Sequence, residues 1–150
     1  QSLVRYKYYG CREYGDYYAD AVCKYTGKDI MRWKPDVIVP VPLTGRKQRM
    51  RGFNQSAYLA DRVGEQLQIP VAYGLVKKIR NTKSQKKLNA AQRKQNLADA
   101  FRAEENIRGL TVLVIDDVYT TGSTVDAMAQ CLKGAGAEQV YFITLCAGQQ

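Results

Sequence analysis

Asp116 and Asp117, with the small hydroxyl-rich run Thr120-Thr-Gly-Ser-Thr124 just beyond them, are the residues of this chain best suited to chemistry. Paired carboxylates accept hydrogen bonds from hydroxyls. Thr120, Thr121, Gly122, Ser123 and Thr124 offer hydroxyls and free backbone N–H groups just ahead of an amphipathic segment, Val125–Ala135. A helix N-terminus approached in that way is a ready anion site, and each contact with the helix dipole there contributes about 0.3–1 kcal/mol. Carboxylates for hydroxyls beside a nest for a phosphate describe a sugar-phosphate pocket. Taken separately, the acids could simply end a core strand and the Thr/Ser residues cap a helix. Their order along the chain is what points to a ligand.

These residues need an element to position them. Val112, Leu113, Val114 and Ile115 form an uninterrupted apolar run, which predicts a strand covered on both faces, as in a parallel sheet. The acids then stand at its carboxyl end, where open α/β sheets bind ligands. Upstream, Leu3–Tyr8 reads as a short strand. A helix follows, with Tyr14, Tyr17, Tyr18, Ala21, Val22 and Tyr25 as a core-facing stripe and Gly27 as its end. Pro35–Pro42 reads as a short buried strand entering a proline-bounded loop. A helix is expected from about Asn54 to Leu67, with Ala57, Leu59, Ala60, Val63 and Leu67 on its apolar side and Asn54 as N-cap. Val71–Val76 is a further strand, Lys77–Asp99 a long polar segment with a helical turn within Ala90–Asn96, and Val140–Cys146 the last strand. Strands alternating with helices imply an α/β fold with a mostly parallel, doubly wound sheet. Gly134-Ala-Gly136 follows a helix, so it is a C-cap and not a dinucleotide fingerprint.

At 150 residues the chain is expected to be one domain, 1–150. It has no apolar run long enough to span a membrane and no secretory signal at its start. Its four cysteines, Cys11, Cys23, Cys131 and Cys146, form no C-x-x-C, and there is no histidine, which argues against a zinc site. Cys131 and Cys146 are placed on buried faces, and a reducing cytoplasm is the expected location. Without histidine no Ser/His or Cys/His nucleophile can be assembled; no G-x-x-x-x-G-K-[ST] is present, which excludes a P-loop nucleotidase. Lysine and arginine outnumber aspartate and glutamate by 23 to 14, for a net charge of +9. The excess is concentrated at Arg46, Lys47, Arg49 and Arg51, and again across Lys77–Lys94, a stretch without an acid. Such clusters suit a pyrophosphate, a nucleic-acid backbone, or both.

Two further stretches are distinctive. Val39-Pro-Val-Pro-Leu-Thr-Gly-Arg-Lys-Gln-Arg-Met-Arg-Gly-Phe-Asn-Gln55 has prolines that stiffen a loop leaving a strand and glycines that let the backbone turn or approach a ligand. Arg80, Thr82, Gln85, Leu88, Arg93 and Asn96 recur within the polar segment. The strand, paired acids and T-T-G-S-T loop resemble the binding signature of the type I phosphoribosyltransferases. The P-V-P-L…R…R-G-F-N-Q stretch and the R-x-T-x-x-Q-x-x-L-x(4)-R-x-x-N pattern are similar to those of the ComF family, phosphoribosyltransferase-like competence proteins of bacteria. The resemblance runs from about residue 37 to the end.

By position, the resemblance implies a type I phosphoribosyltransferase-like fold with a flexible hood at about residues 77–100, and a site for phosphoribosyl pyrophosphate with Mg²⁺. Asp116 and Asp117 would meet the ribose hydroxyls, and Thr120–Thr124 the 5′-phosphate. Thr44, Gly45, Arg46 and Lys47 would face the pyrophosphate, while Arg80 and Lys86 in the hood would stabilise the departing charge. The metal would sit on pyrophosphate and ribose oxygens rather than in a protein cage. Transfer from a pyrophosphate-activated sugar proceeds through an oxocarbenium-like state and needs no histidine base. The family's link to DNA uptake gives a second expectation, a non-catalytic single-stranded-DNA-binding module with Arg49, Arg51 and Arg93 on the backbone and DNA-uptake proteins as partners. Many members of the family begin with a four-cysteine zinc segment; none is present here, and the expectation is that it was lost or removed. Acceptor base and oligomeric state are not legible.

Overall fold

Nothing polar interrupts Val112–Ile115, and the strand it forms is the middle one of a three-stranded parallel sheet. The structure is a computed structural model that describes residues 12–43, 49, 54–79, 89, 91–92, 100–117 and 123–145. In chain order the elements are helix α1 (Arg12–Trp33), strand β1 (Val37–Pro40), helix α2 (Gln55–Leu67), β2 (Val76–Lys78), β3 (Phe101–Ala103), a 3-10 turn (Glu105–Ile107), β4 (Thr111–Asp116), helix α3 (Ser123–Gly134) and β5 (Gln139–Thr144). The sheet order is β1-β4-β5, all parallel, with Val39 opposite Val114 and Asp116 opposite Thr144.

Alternation along the strands divides the core in two. Val112 and Val114 join Val37, Val39 and Val41 against Met128 and Leu132 of α3 and Phe101 of β3. Leu113 and Ile115 join Ile38 on the opposite face, against Leu59 and Val63 of α2 and Ala19, Val22 and Ile30 of α1. All four side chains from Val112 to Ile115 are fully buried, each contributing about 1.5–3 kcal/mol relative to exposure. The doubly wound arrangement expected from the alternation of elements is therefore present, with helices on both faces. Among the described residues no helix is long and apolar enough to cross a membrane. Leu3–Tyr8 lies outside the described residues.

Several boundaries differ from expectation. Helix α1 does not end at Gly27 but continues to Trp33. Gly27 is buried where α1 meets α2, and a Cβ built there would stand 3.8 Å from Leu67. The buried stripe of α1 is also shifted. It is centred on Ala19, Val22 and Ile30, whereas Tyr17 and Tyr25 are 68 % and 76 % exposed. At 100° per residue Tyr17 falls nearly opposite that stripe; a tyrosine ring is accommodated on either surface, and of the tyrosines in the expected stripe Tyr18 packs against the core. Val71–Val76 is not one strand. Val71 makes a single parallel bridge to Ile38, the chain turns at Gly74 (φ 78°), and β2 starts at Val76. Lys77 and Lys78, expected to open an irregular segment, belong to β2 and pair with Arg102 and Phe101 of β3. The last strand covers Gln139–Thr144, and Cys146 lies outside the described residues.

Other local expectations hold. Asn54 caps α2, its Oδ1 accepting the Ala57 N–H at 3.2 Å. Helix α3 ends in a Schellman arrangement at Gly136 (φ 98°), with Ala137 N–H donating to the Leu132 carbonyl and Gly136 N–H to that of Lys133, both at 3.0 Å. Within the polar segment Ala91 and Gln92 are helical. Asn89 and Gln92 cap one another there, each side-chain oxygen accepting the other's backbone N–H at 2.8 and 3.1 Å, as in a capping box.

Two glycines of the helix pair should respond oppositely to alanine. Gly27→Ala places a methyl at ordinary contact distance in a helix interior and is expected to raise stability by about 0.5–1 kcal/mol. Gly64→Ala would bring its Cβ to 2.7 Å from both the Ile69 carbonyl and Val71, and is expected to lower stability by about 1–3 kcal/mol. Urea unfolding of the two variants beside the parent checks both signs.

Candidate functional site

Three chain segments converge where the strands end. Strand β1 continues its pairing one step past Pro40, with Val41 N–H donating to the Ile115 carbonyl at 2.9 Å. The Val41 carbonyl accepts the Asn54 Nδ2 amide at 3.2 Å. Asn54 thus caps α2 and closes the Pro42–Phe53 connection on itself, so the proline-stiffened loop leaves and re-enters the fold at one point. Two residues after the cap, Ser56 is buried and reaches the end of β4. Its Oγ lies 3.3 Å from Asp116 Oδ1, to which it donates, and 3.3 Å from the Asp117 N–H, from which it accepts. The Asp117 N–H also donates to Asp116 Oδ1 at 2.8 Å.

Asp116 is 8 % exposed at the last position of β4, while Asp117 is half-buried. Burial pushes the Asp116 carboxyl up to about 7, assisted by the hydrogen bond that its protonated form donates to the Asp117 carboxylate and by the charge of that carboxylate; the Asp117 amide and Ser56 pull in the other direction. Near neutrality Asp116 therefore stands at the edge between its neutral and ionised forms. Hydroxyls presented by a ligand would favour the ionised form, since donors to a carboxylate favour its charged state.

Along the end of β1 lies a cleft of about 410 Å³ whose walls include Pro42, Leu43, Asn54, Tyr73, Lys77 and Lys78. Its floor is apolar and its rim carries the two lysines at the start of the segment that resembles a hood. The antiparallel pairing of β2 with β3 brings the two ends of that segment together.

Of the residues singled out from sequence, Asp116 ends β4 and Asp117 directly follows it. Ser123 and Thr124 open α3, and Thr124 is half-buried. Arg49 is exposed. Thr44, Gly45, Arg46, Lys47, Arg51, Arg80, Lys86, Arg93, Thr120, Thr121 and Gly122 lie outside the described residues. Ser56 was missed: a serine in the first turn of a helix reads as part of the cap, and its partner is 60 positions away. The one available signal was a small polar residue on the apolar face of α2, between Asn54 and Leu59. Cys131 is half-buried among apolar neighbours, and burial raises its thiol, as it does for Cys23 beside Asp20.

A phosphoribosyl transferase domain matches residues 16–150. DNA utilization protein YhgH of Salmonella typhi is 43 % identical over 112 residues, covering 75 % of this chain and 49 % of that protein. Competence protein F of Haemophilus influenzae is 36 % identical over 109 residues, covering 71 % of this chain and 48 % of that protein. The chain belongs to the ComF family of phosphoribosyltransferase-like proteins. This ComF-type chain spans about half the length of the curated relatives it matches. Its fold is that of the type I phosphoribosyltransferases. The purine phosphoribosyltransferase of Pyrococcus horikoshii superposes with a TM-score of 0.57 at 17 % identity, over 87 % of this chain and 73 % of that one.

Folding disfavours the ionised Asp116, because its carboxyl in the folded chain titrates above the ordinary carboxylate range. The corresponding stability is present in acid and lost as the pH rises through about 7. Asp116→Asn keeps an oxygen for Ser56 and the Asp117 amide while removing the charge. It is therefore expected to raise the melting temperature at pH 8 and to change it much less at pH 5. Thermal unfolding followed by circular dichroism at the two pH values reads the difference; an equal shift at both would refute the assignment.

Proposed function

We propose that this ComF-type domain binds phosphoribosyl pyrophosphate together with Mg²⁺ and acts as a phosphoribosyltransferase in the use of external DNA. The observation that carries the reading is the pair of buried Asp116 and half-buried Asp117 at the carboxyl end of the central strand, separated by two residues from the T-T-G-S-T run that leads into α3. In this reading the pair accepts the two ribose hydroxyls, Thr120–Thr124 hold the 5′-phosphate at the α3 N-terminus, and Thr44–Lys47 meet the pyrophosphate. Arg80 and Lys86 approach from the connection between β2 and β3.

The donor set suits a hard cation carried in on the ligand, because the nearby protein groups are carboxylate and hydroxyl oxygens. Bound in that way on pyrophosphate and ribose oxygens, Mg²⁺ would neutralise charge on the leaving group. The chain's own groups orient the sugar, offset the remaining negative charge with lysine and arginine, and shield the reacting carbon from water. No step requires a general base of the histidine type, consistent with a chain that has no histidine. The 410 Å³ cleft at the end of β1 has the volume for a small acceptor or for part of the pyrophosphate.

The names of the relatives, DNA utilization protein and competence protein, favour a second reading. In it the domain is a non-catalytic module that binds single-stranded DNA through Arg49, Arg51, Arg93 and the surrounding basic residues, alongside DNA-uptake proteins. Backbone binding of that kind falls steeply with salt.

Calorimetric titration of phosphoribosyl pyrophosphate, with and without Mg²⁺, separates the two. The first reading expects metal-dependent binding in the parent chain and a loss of at least about 100-fold in affinity in the Asp116→Asn, Asp117→Asn double variant, because two charge-assisted contacts are removed. Failure of the parent chain to bind, together with salt-sensitive single-strand binding that survives in the double variant, would replace the first reading by the second.

A further inference from the structure

Ser56 is 4 % exposed, and its single hydroxyl is used twice, as donor to Asp116 Oδ1 and as acceptor from the Asp117 N–H. A hydroxyl has one proton to give and lone pairs to receive, so these two bonds use its donor and one acceptor site. They close a small ring with the Asp117 N–H bond to Asp116 Oδ1. Oδ1 of Asp116 accepts two protein donors, which leaves Oδ2 as the main acceptor for an incoming hydroxyl. Ser56 is itself fixed from the other side. It lies two residues past Asn54, whose side chain caps α2 through the Ala57 N–H and holds the Val41 carbonyl. A continuous path of hydrogen bonds and one helical turn therefore runs from the end of β1, through Asn54 and Ser56, to the end of β4.

We infer that Ser56 is a positioning residue: it sets the orientation of the Asp116 carboxylate and ties it to the first turn of α2 and, through Asn54, to the end of β1, so that the acceptor for a sugar diol is held in place by a single hydroxyl. The inference deepens the sugar-phosphate reading and rests on it. The bland alternative is that Ser56 merely satisfies a buried carboxyl and could be exchanged for any small residue without consequence for the ligand. The geometry favours positioning because Ser56 touches both acids, one through its carboxylate and the other through its backbone. It does so from an element that also anchors the neighbouring loop.

The surroundings make the role measurable by pH. Among the described residues, the titratable group facing Asp116 is Asp117, which raises it, while Ser56 and the Asp117 amide favour the ionised form. Strand β1 presents only Val37–Pro40 beside β4, and β5 places Thr144 opposite Asp116, with Tyr141 three positions lower opposite Leu113. Removing the Ser56 hydroxyl takes away a donor to the carboxylate. The pH below which the pair ceases to hold a sugar diol should then move upward, a change that simple loosening of the fold would not produce.

The test is calorimetric titration of phosphoribosyl pyrophosphate with Mg²⁺ between pH 6 and 9 into the parent chain, Ser56→Ala and Ser56→Thr, with melting curves in parallel. Ser56→Ala is expected to weaken binding by about tenfold at pH 8 and to move the midpoint of the pH profile upward. Ser56→Thr, which keeps the hydroxyl, is expected to restore the midpoint. If Ser56→Ala does not fold, Ser56→Cys, with a weaker donor of similar size, takes its place in the comparison. Parent-like affinity and midpoint in Ser56→Ala, or weaker binding without a shift in midpoint, would overturn the positioning role while leaving the sugar-phosphate reading intact. Absence of binding by the parent chain across the whole range would overturn both.

Discussion

A carboxylate at the end of a strand that is buried on both faces is the constraint around which this molecule is organised. Strand β4 is covered by α1 and α2 on one side and by α3 and β3 on the other, so whatever ends it is held rigidly and partly dried. Asp116 inherits that environment. In water its charge would cost nothing; at the end of β4 it is opposed by burial and by Asp117, and is supported by one amide and one hydroxyl. The hydrophobic core thus does more than stabilise the fold. It places a carboxyl where small changes in hydrogen bonding decide its charge.

The second organising feature is the return of the β1–α2 connection to its own starting point. Asn54 serves simultaneously as helix cap and as a clamp on Val41. The clamp fixes the first turn of α2 relative to the sheet, and Ser56 rides on that turn. A side chain that looks like ordinary capping chemistry therefore transmits the position of one strand end to the next. Loops carrying binding residues on a rigid frame are a general pattern; here the frame reaches into the loop through two short polar side chains.

How much of this was legible in the sequence depended on the range of the interaction. Val112–Asp116 could be read because a strand buried on both faces must be apolar throughout, and its polar end then stands out. Asn54 and Gly136 could be read because capping is decided within a few residues. The tyrosine stripe misled because tyrosine tolerates both surfaces, and the buried line of α1 is in fact carried by Ala19, Val22 and Ile30. Gly27 misled because a glycine in a helix can mean either an end or a close approach, and only the packing of Leu67 distinguishes them. The break between Val71 and Val76 depended on the turn at Gly74 and on the limited length of β1 available for pairing. Ser56 was out of reach for a different reason: its meaning lies entirely in a partner on another strand.

The distribution of charge completes the physical picture. Of the two acids of the candidate site, Asp116 ends the central strand and Asp117 follows it directly, whereas the basic clusters fall mostly in the connections, between β1 and α2 and from β2 toward β3. The pairing of Lys77 with Arg102 closes the second connection at its base, beside the cleft that Leu43 and Asn54 also line. On the proposed reading this division has a chemical logic. Recognition of a sugar diol demands fixed geometry, and the sheet supplies it. Neutralising a pyrophosphate demands positive charge, which the chain carries mostly outside the sheet. The same division explains how a chain without histidine could still promote transfer: the reaction is left to electrostatics and water exclusion, and the burden on the fold is to keep one buried carboxylate correctly turned.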